Sequence, residues 1–325
     1  MSKIITIVGA TGTQGGSVIR ALLASPPTNP PYTIRAIARN PESSAAQALV
    51  SQGIDVVRAD ISDISSLTAA FKGSHAIFAV TRFFESLTTK EVAGAVKEET
   101  KLGINLAKAA AVTESLEHYV WSTLPDSNKN SGGKAAVPYC ESKTRVNEYI
   151  HSLPDLLQKT TFVWLGWYSG NMQFPIYHPS RIHTLDGSKS YVTFVNVDPA
   201  TKVPLLGDEK VNIGLFVKAI LQQPGKTLPG KTVAGLMEYR SLGDVVAAFG
   251  KAKAIQVRAL QISREDYRAL WPGFGDVIDL SHLYMEVAGE QSFAPVGEDV
   301  LTAGDLGVEG LVGIEEAFAG IELLA

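Results

Sequence analysis

The chain has 325 residues, 45% hydrophobic and 19% charged, with a single cysteine; this excludes a disordered or collagen-like chain and an intrachain disulfide, and leaves one large domain or two unequal ones. The formal charge of −4 is unevenly spread: all 29 Lys and Arg lie at or before Arg268, so residues 1–268 carry +7 and the remainder −11. A positive body suits an anionic small ligand, and an acidic end argues against a nucleic-acid tail, unless that end is simply a solvated face.

In chain order, short apolar strand signals occur at KIITIV (3–8), TIRAIA (33–38), DVVR (55–58), HAIFAV (75–80), HYVW (118–121) and TTFVWL (160–165). Helical patterns separate them at Gly15–Leu23, Ser43–Gln52, Ser65–Phe71, about Thr89–Ala111 and Tyr139–His151. Such alternation predicts an α/β fold, a Rossmann-type doubly wound parallel sheet over residues 1–165. SPPTNPP (25–31) and SNKNSGG (127–133) read as surface loops, the second flexible. After Leu165 the rhythm breaks: residues 166–183 are aromatic and turn-rich, followed by a strand at Ser190–Val197 and helices near Val211–Gln222, Leu242–Lys251, Arg264–Leu270 and Asp276–Ala288. Residues 166–325 are expected to form a smaller α+β substrate domain, with 211–222 packing back on the first. The opening MSKIITIV lacks a signal peptide's basic start and cleavage site, and no apolar run reaches about eighteen residues. A cytoplasmic location without membrane contact is the expectation, or a nuclear one if the protein is regulatory.

Gly9, Gly12 and Gly15 directly follow the first strand and open a helix. In that context the first glycine permits a tight turn, the second admits a pyrophosphate to the backbone, and the third lets helix and sheet approach. The helix N-terminus then offers free N–H groups to phosphate. The second strand ends Ala38-Arg39-Asn40, where an NAD enzyme would carry an acid for the ribose hydroxyls. An arginine fork pairs instead with a 2′-phosphate, so the expected cofactor is NADP(H). Asp60, after the third strand, is placed either to contact adenine or to cap the helix near Ile64.

Tyr139 and Lys143 lie four apart behind Pro138, on one face of a helix. An adjacent ammonium would lower the phenol's pKa and fit it to give a proton to a carbonyl oxygen as hydride reaches carbon. Ser122 closes the fifth strand at the sheet's carboxyl edge, where its hydroxyl could bond the same oxygen. Trp167, Tyr168 and Asn171 sit just past the sixth strand, placed to wall a pocket for a bulky apolar or aromatic substrate. Most such aromatics are core. The six histidines show no metal-ligand spacing, and no metal is expected.

The segments GATGTQGGSV (9–18), ARNPESSAAQAL (38–49), FAVTRFFE (78–85), YVWSTL (119–124), YCESKTRVNEYI (139–150), LDGSKSYV (185–192) and REDYRALWPGF (264–274) together resemble the NmrA-like branch of the atypical short-chain dehydrogenase/reductases. The resemblance implies an NADP(H)-binding Rossmann domain with a small C-terminal domain. It assigns Gly9, Thr11, Gly12, Thr13, Gln14 and Gly15 to the pyrophosphate loop and Arg39 to the 2′-phosphate. Thr81 and Phe83 fall beside the cofactor, and Lys143 is the retained helix lysine. Many members of that branch lack the tyrosine, often with histidine in its place, and act as NADP(H)-sensing regulators. Tyr139 restores the reductase triad here. The leading expectation is therefore an NADPH-dependent reductase of a carbonyl, enone or imine on a small-molecule substrate. The alternatives are a sensor that binds a protein partner such as a transcription factor, and a non-redox enzyme that retains NADP(H).

Overall fold

A computed structural model describes residues 2–24, 32–183, 185 and 189–323. The Pro-rich loop 25–31 and part of the 185–192 segment lie outside the described residues. Strands β1 (Lys3–Ile7), β2 (Tyr32–Ala38), β3 (Asp55–Arg58), β4 (Ala76–Ala79), β5 (His118–Thr123) and β6 (Thr160–Leu165) form where the short apolar runs predict them. Two later strands join the same sheet, β7 (Lys231–Gly235) and β8 (Val300–Leu301), giving the order β8-β7-β6-β5-β4-β1-β2-β3. Every pairing in it is parallel. The sheet therefore continues past residue 165 into chain that the alternation of the first half did not announce.

All residues of β4, β5 and β6 are buried, as expected of a parallel sheet covered on both faces. Alternation along these strands sorts their side chains into two cores. Phe78, Val120 and Val163 face helices α1 (Thr13–Leu23) and α7 (Glu209–Gln222), where they meet Val18, Phe216 and Ile220. Ile77, Tyr119, Trp121 and Phe162 face α3 (Ile64–Phe71), α5 (Val92–Ala111) and α6 (Pro138–His151), where they meet Phe71, Leu106 and Val146.

Helix α7 lies on α1 at close range. A Cβ on Gly214 would fall 2.2 Å from the Ser17 carbonyl oxygen, and Gly214 donates its N–H to Ser17 Oγ at 2.9 Å. A third core gathers Tyr177, Val203, Leu242, Phe249, Tyr267, Ile278 and Phe318. Two three-stranded sheets flank it: Glu238–Ser241, Lys202–Gly207, Trp167–Tyr168; and Gln256–Gln261, Lys189–Val195, Ser180–His183. Helix α8 (Phe274–Ala288) spans from this core to the large sheet's carboxyl edge, contributing Ile278 to the one and Val277 to a cluster with Phe83 and Val96. The segment expected to be a flexible loop at 127–133 begins as a helical turn, Ser127–Asn130. The Asp126 carboxylate caps it by accepting the Lys129 N–H at 2.9 Å.

Candidate cofactor and active site

The strand order reverses between β1 and β4, so the connections leaving these two tips diverge and open a crevice at the carboxyl edge. On one side of it lies the glycine turn. Gly9 has φ +67°, open to glycine without strain, and a Cβ at Gly15 would sit 2.3 Å from the Gly9 carbonyl oxygen. Gly12, the N-cap of α1, makes no side-chain cap, and no acid occupies the first turn. Thr11, Gly12 and Thr13 are exposed around that N-terminus. Gln14 donates from Nε2 to the Tyr168 hydroxyl at 2.9 Å, while its buried Oε1 has no partner. An uncapped N-terminus and a cradle closed to Cβ atoms together fit a dinucleotide pyrophosphate.

Arg39 stands at the tip of β2, where its guanidinium pairs with Glu85 Oε1 at 3.0 Å; Arg82 approaches the other Glu85 oxygen at 3.5 Å. Asp60 does not cap the following helix. Asp63 does, accepting the Ser65 N–H at 3.0 Å. The Asp60 carboxylate instead accepts the Ser62 N–H at 2.8 Å and the Ser62 hydroxyl at 2.7 Å, which hold its pKa below the carboxylate range, with the Arg39 charge assisting.

The opposite wall of the crevice is built on Lys143. Its ammonium donates to Thr81 Oγ1 at 2.6 Å, to the Thr81 carbonyl at 3.3 Å and to the Ser122 carbonyl at 3.4 Å, and lies 4.7 Å above the Trp121 ring. Beneath it is Glu99, fully buried on α5, 3.4 Å from the ammonium. Thr81 Oγ1 donates to Glu99 at 2.8 Å, and the Ser142 hydroxyl donates to its other oxygen. Burial lowers the Lys143 pKa, and the Glu99 charge opposes that shift. Lys143, Thr81 and Ser122 are thus brought together, Ser122 through its backbone carbonyl.

Tyr139 is not coupled to them as expected. Its hydroxyl bonds Ser281 on α8, and its ring packs on Phe83 and Phe84 at 6.2 and 5.8 Å. Burial pushes its pKa well up, so the lowering expected from Lys143 does not occur. The i, i+4 spacing does place both residues on one helix face. The ammonium, however, turns down into the β4–β5 floor, where Glu99 compensates its charge, whereas the phenol turns out to α8.

The three residues expected to wall a pocket have these partners. Tyr168 is tied to Gln14, Trp167 stands edge-on to Tyr177 at 5.6 Å, and Asn171 is half-buried in the turn Ser169–Gln173. Phe83 is buried, in a small cluster with Ala95, Val96 and Val277.

Glu85, Glu99 and Ser281 escaped the sequence reading. Glu99 left a signal: with Ala95 and Gly103 it occupies every fourth position on the buried stripe of α5, where an acid demands a partner. Ser281 left none, because its partner is 142 residues distant; for Glu85 only Arg82 is near in the chain, and its pairing with Arg39 spans 46 residues.

A doubly wound parallel sheet with a glycine cradle at its switch point defines a Rossmann-type nucleotide-binding protein. Residues 1–318 match the NmrA-like family, and the chain belongs to it. It is 28% identical over 320 residues to the NmrA-like family domain-containing oxidoreductase FrzB of Cladobotryum sp, covering 94% of this chain and 90% of that one. An NmrA-like family domain-containing protein of Dictyostelium discoideum is 30% identical over 238 residues, 70% and 72% of the two chains. Among solved structures, the negative transcriptional regulator NmrA superposes with a TM-score of 0.74 at 21% identity, covering 99% of this chain and 96% of that one. The NADPH-dependent quinone oxidoreductase of Escherichia coli, complexed with NADPH, gives 0.67 at 18% identity over 97% and 98%. These two likenesses are of fold.

Proposed function

We propose that the chain is an NADPH-dependent reductase of a carbonyl, enone or imine carried by a bulky apolar or aromatic small molecule. The observation that carries this reading is the convergence of Lys143, Thr81 and Ser122 at the tips of β4 and β5, across the crevice from the glycine cradle. The naming of FrzB as an oxidoreductase and the NADPH complex of the quinone oxidoreductase point the same way.

Gly9, Thr11, Gly12, Thr13, Gln14 and Gly15 would hold the pyrophosphate, Arg39 the 2′-phosphate, and Thr81 and Lys143 the nicotinamide ribose. Bound NADPH supplies the hydride. Tyr139 holds the proton that completes the reduction and delivers it to the substrate heteroatom once its hydroxyl is free of Ser281. The Ser122 hydroxyl donates to the same atom. Burial pushes the Tyr139 pKa well up, which keeps the phenol protonated at neutral pH and makes it a weaker acid than a phenol lowered by Lys143 would be.

The bond between Tyr139 and Ser281 favours one second reading, an NADP(H)-sensing regulatory protein that engages a protein partner without turnover. NmrA, similar in fold, is described as a negative transcriptional regulator. One experiment separates the two: calorimetric titration with NADPH and NADH, then NADPH consumption against a panel of bulky ketones, enones and imines. Tight NADPH binding with turnover that Tyr139→Phe abolishes supports the reductase. Tight binding with no oxidation of NADPH by any compound overturns it in favour of the sensor.

A further inference from the structure

Arg39 and Arg82 converge on one carboxylate, Glu85, in helix α4 (Phe83–Leu87). Arg39 follows β2 and Glu85 follows β4, and these two strands flank β1. With strands about 4.8 Å apart, the ion pair links the ends of two strands roughly 10 Å apart, on either side of β1, the strand that leads into the glycine turn. Both guanidiniums remain largely in water, their side chains 67% and 71% exposed, and Glu85 is 44% exposed. The Arg39 charge also helps to hold the Asp60 pKa down, and that carboxylate is already committed to Ser62.

We infer that Glu85 is an internal stand-in for the cofactor's 2′-phosphate. It gathers Arg39 and Arg82 in the free protein, and NADP(H) binding exchanges the carboxylate for the phosphate. Arg82 is then a second phosphate-binding residue, and Glu85 sets the margin between NADP(H) and NAD(H). The inference rests on the NADP(H) reading of the crevice and deepens it. The exchange is favourable because a phosphate carries up to two charges and three acceptor oxygens, enough for two arginine forks, where a carboxylate has one charge and two oxygens. Exposure of the arginines leaves room for the exchange, since a solvated ion pair is only weakly held. With NAD(H) no phosphate arrives and Glu85 keeps both arginines, so its removal should leave NAD(H) affinity unaltered.

The test is calorimetric titration of the full chain with adenosine 2′,5′-bisphosphate and adenosine 5′-monophosphate, which isolate the 2′-phosphate, and with NADPH and NADH. Arg82→Ala should weaken the bisphosphate and NADPH about tenfold and leave the other two unchanged, and Arg82→Lys should recover part of the loss. Glu85→Gln should tighten the bisphosphate and NADPH roughly three- to tenfold, again without effect on the monophosphate and NADH. Thermal unfolding midpoints near native would show that these surface variants remain folded.

If Arg39→Ala lowers NADPH affinity selectively while Arg82→Ala and Glu85→Gln change nothing, the two-arginine exchange is wrong and the NADP(H) reading stands. If Glu85→Gln weakens both nucleotides, Glu85 is a ligand and not a competitor, and the inference fails. If the native protein binds bisphosphate no more tightly than monophosphate, the underlying reading itself fails.

Discussion

The Lys143 ammonium donates to the Thr81 hydroxyl at 2.6 Å, and the same hydroxyl donates to the buried Glu99 carboxylate at 2.8 Å. A lysine expected to tune the neighbouring phenol is instead half of a buried ion pair, closed by the Ser142 hydroxyl on the other Glu99 oxygen. Removing one member of such a pair strands the other charge in a low-dielectric interior, while removing both does not.

Glu99→Ala should therefore destabilise the fold by about 3–5 kcal/mol. The double variant Glu99→Ala, Lys143→Met should recover a large part of that loss, because the orphaned ammonium is gone. Urea unfolding of the native, single and double variants measures this directly. A double variant no more stable than Glu99→Ala would mean that Lys143 escapes to solvent when unpaired.

The two later glycines of the turn should fail in different ways. A Cβ on Gly15 collides with the Gly9 carbonyl oxygen and carbon and with the Ala10 Cα, all backbone. Gly15→Ala is expected to cost about 3 kcal/mol of stability, whatever ligand is present. At Gly12 the nearest atom to a Cβ is the Gly9 oxygen at 3.3 Å, and the residue is exposed. Gly12→Val should leave thermal unfolding near native yet abolish NADPH binding in a fluorescence titration, since its side chain fills pyrophosphate space. Unchanged NADPH affinity in Gly12→Val would reduce the glycine run to a turn.

Tyr139 and Ser281 supply the test of catalysis. Tyr139→Phe deletes one hydroxyl and keeps the ring against Phe83 and Phe84, so fold and NADPH affinity should persist while turnover drops roughly 10²–10⁴-fold. Ser281→Ala frees the phenol, and its turnover should equal or exceed native. A fall in Ser281→Ala comparable with that of Tyr139→Phe would make the serine part of the proton path and not a restraint on it.

Two buried histidines predict a pH dependence of stability. Burial holds His118, which shares a 2.8 Å bond with Thr161 Oγ1, and His282, beside Asn196, at pKa values of about 4, below the ordinary 6.5. The unfolded chain thus takes up protons that the folded one refuses. The contribution of these two rings should be constant above about pH 6.5 and fall between about pH 6.5 and 4, below which carboxylates with lowered pKa values, Asp60 among them, carry the loss further. A shift of this size corresponds to about 3 kcal/mol per histidine at the acid end. Urea midpoints from pH 7.5 to 4 should show this fall, and His118→Gln should roughly halve its slope. A flat profile would mean that both rings protonate in the fold.

What could be read in advance followed from local rules. β6 (Thr160–Leu165) occupies the span expected of it, because a strand buried on both faces is a short apolar run in any context, and the partly exposed edge strand β3 (Asp55–Arg58) was marked by its paired valines. The strand β7 (Lys231–Gly235) gave no such warning. It is five residues long and stands apart from the strand–helix alternation, and its place is decided by its pairing with β6, some seventy residues earlier in the chain.

The amino-acid sequence by itself determined the positions of the first six strands, the glycine turn and the bare, uncapped start of α1, because each depends on residue pattern, backbone sterics and hydrogen bonds within a few residues. It also put Tyr139 and Lys143 on one helix face. Only the tertiary structure decided that these two side chains would part company. Burial of Glu99 demanded a cation within reach, Lys143 was the one that α6 delivered, and Ser281 arrived from a helix 142 residues away to take the phenol. Periodicity along a chain specifies which face a side chain occupies. The partner it finds there depends on which charges and hydroxyls the packing of other elements removes from water.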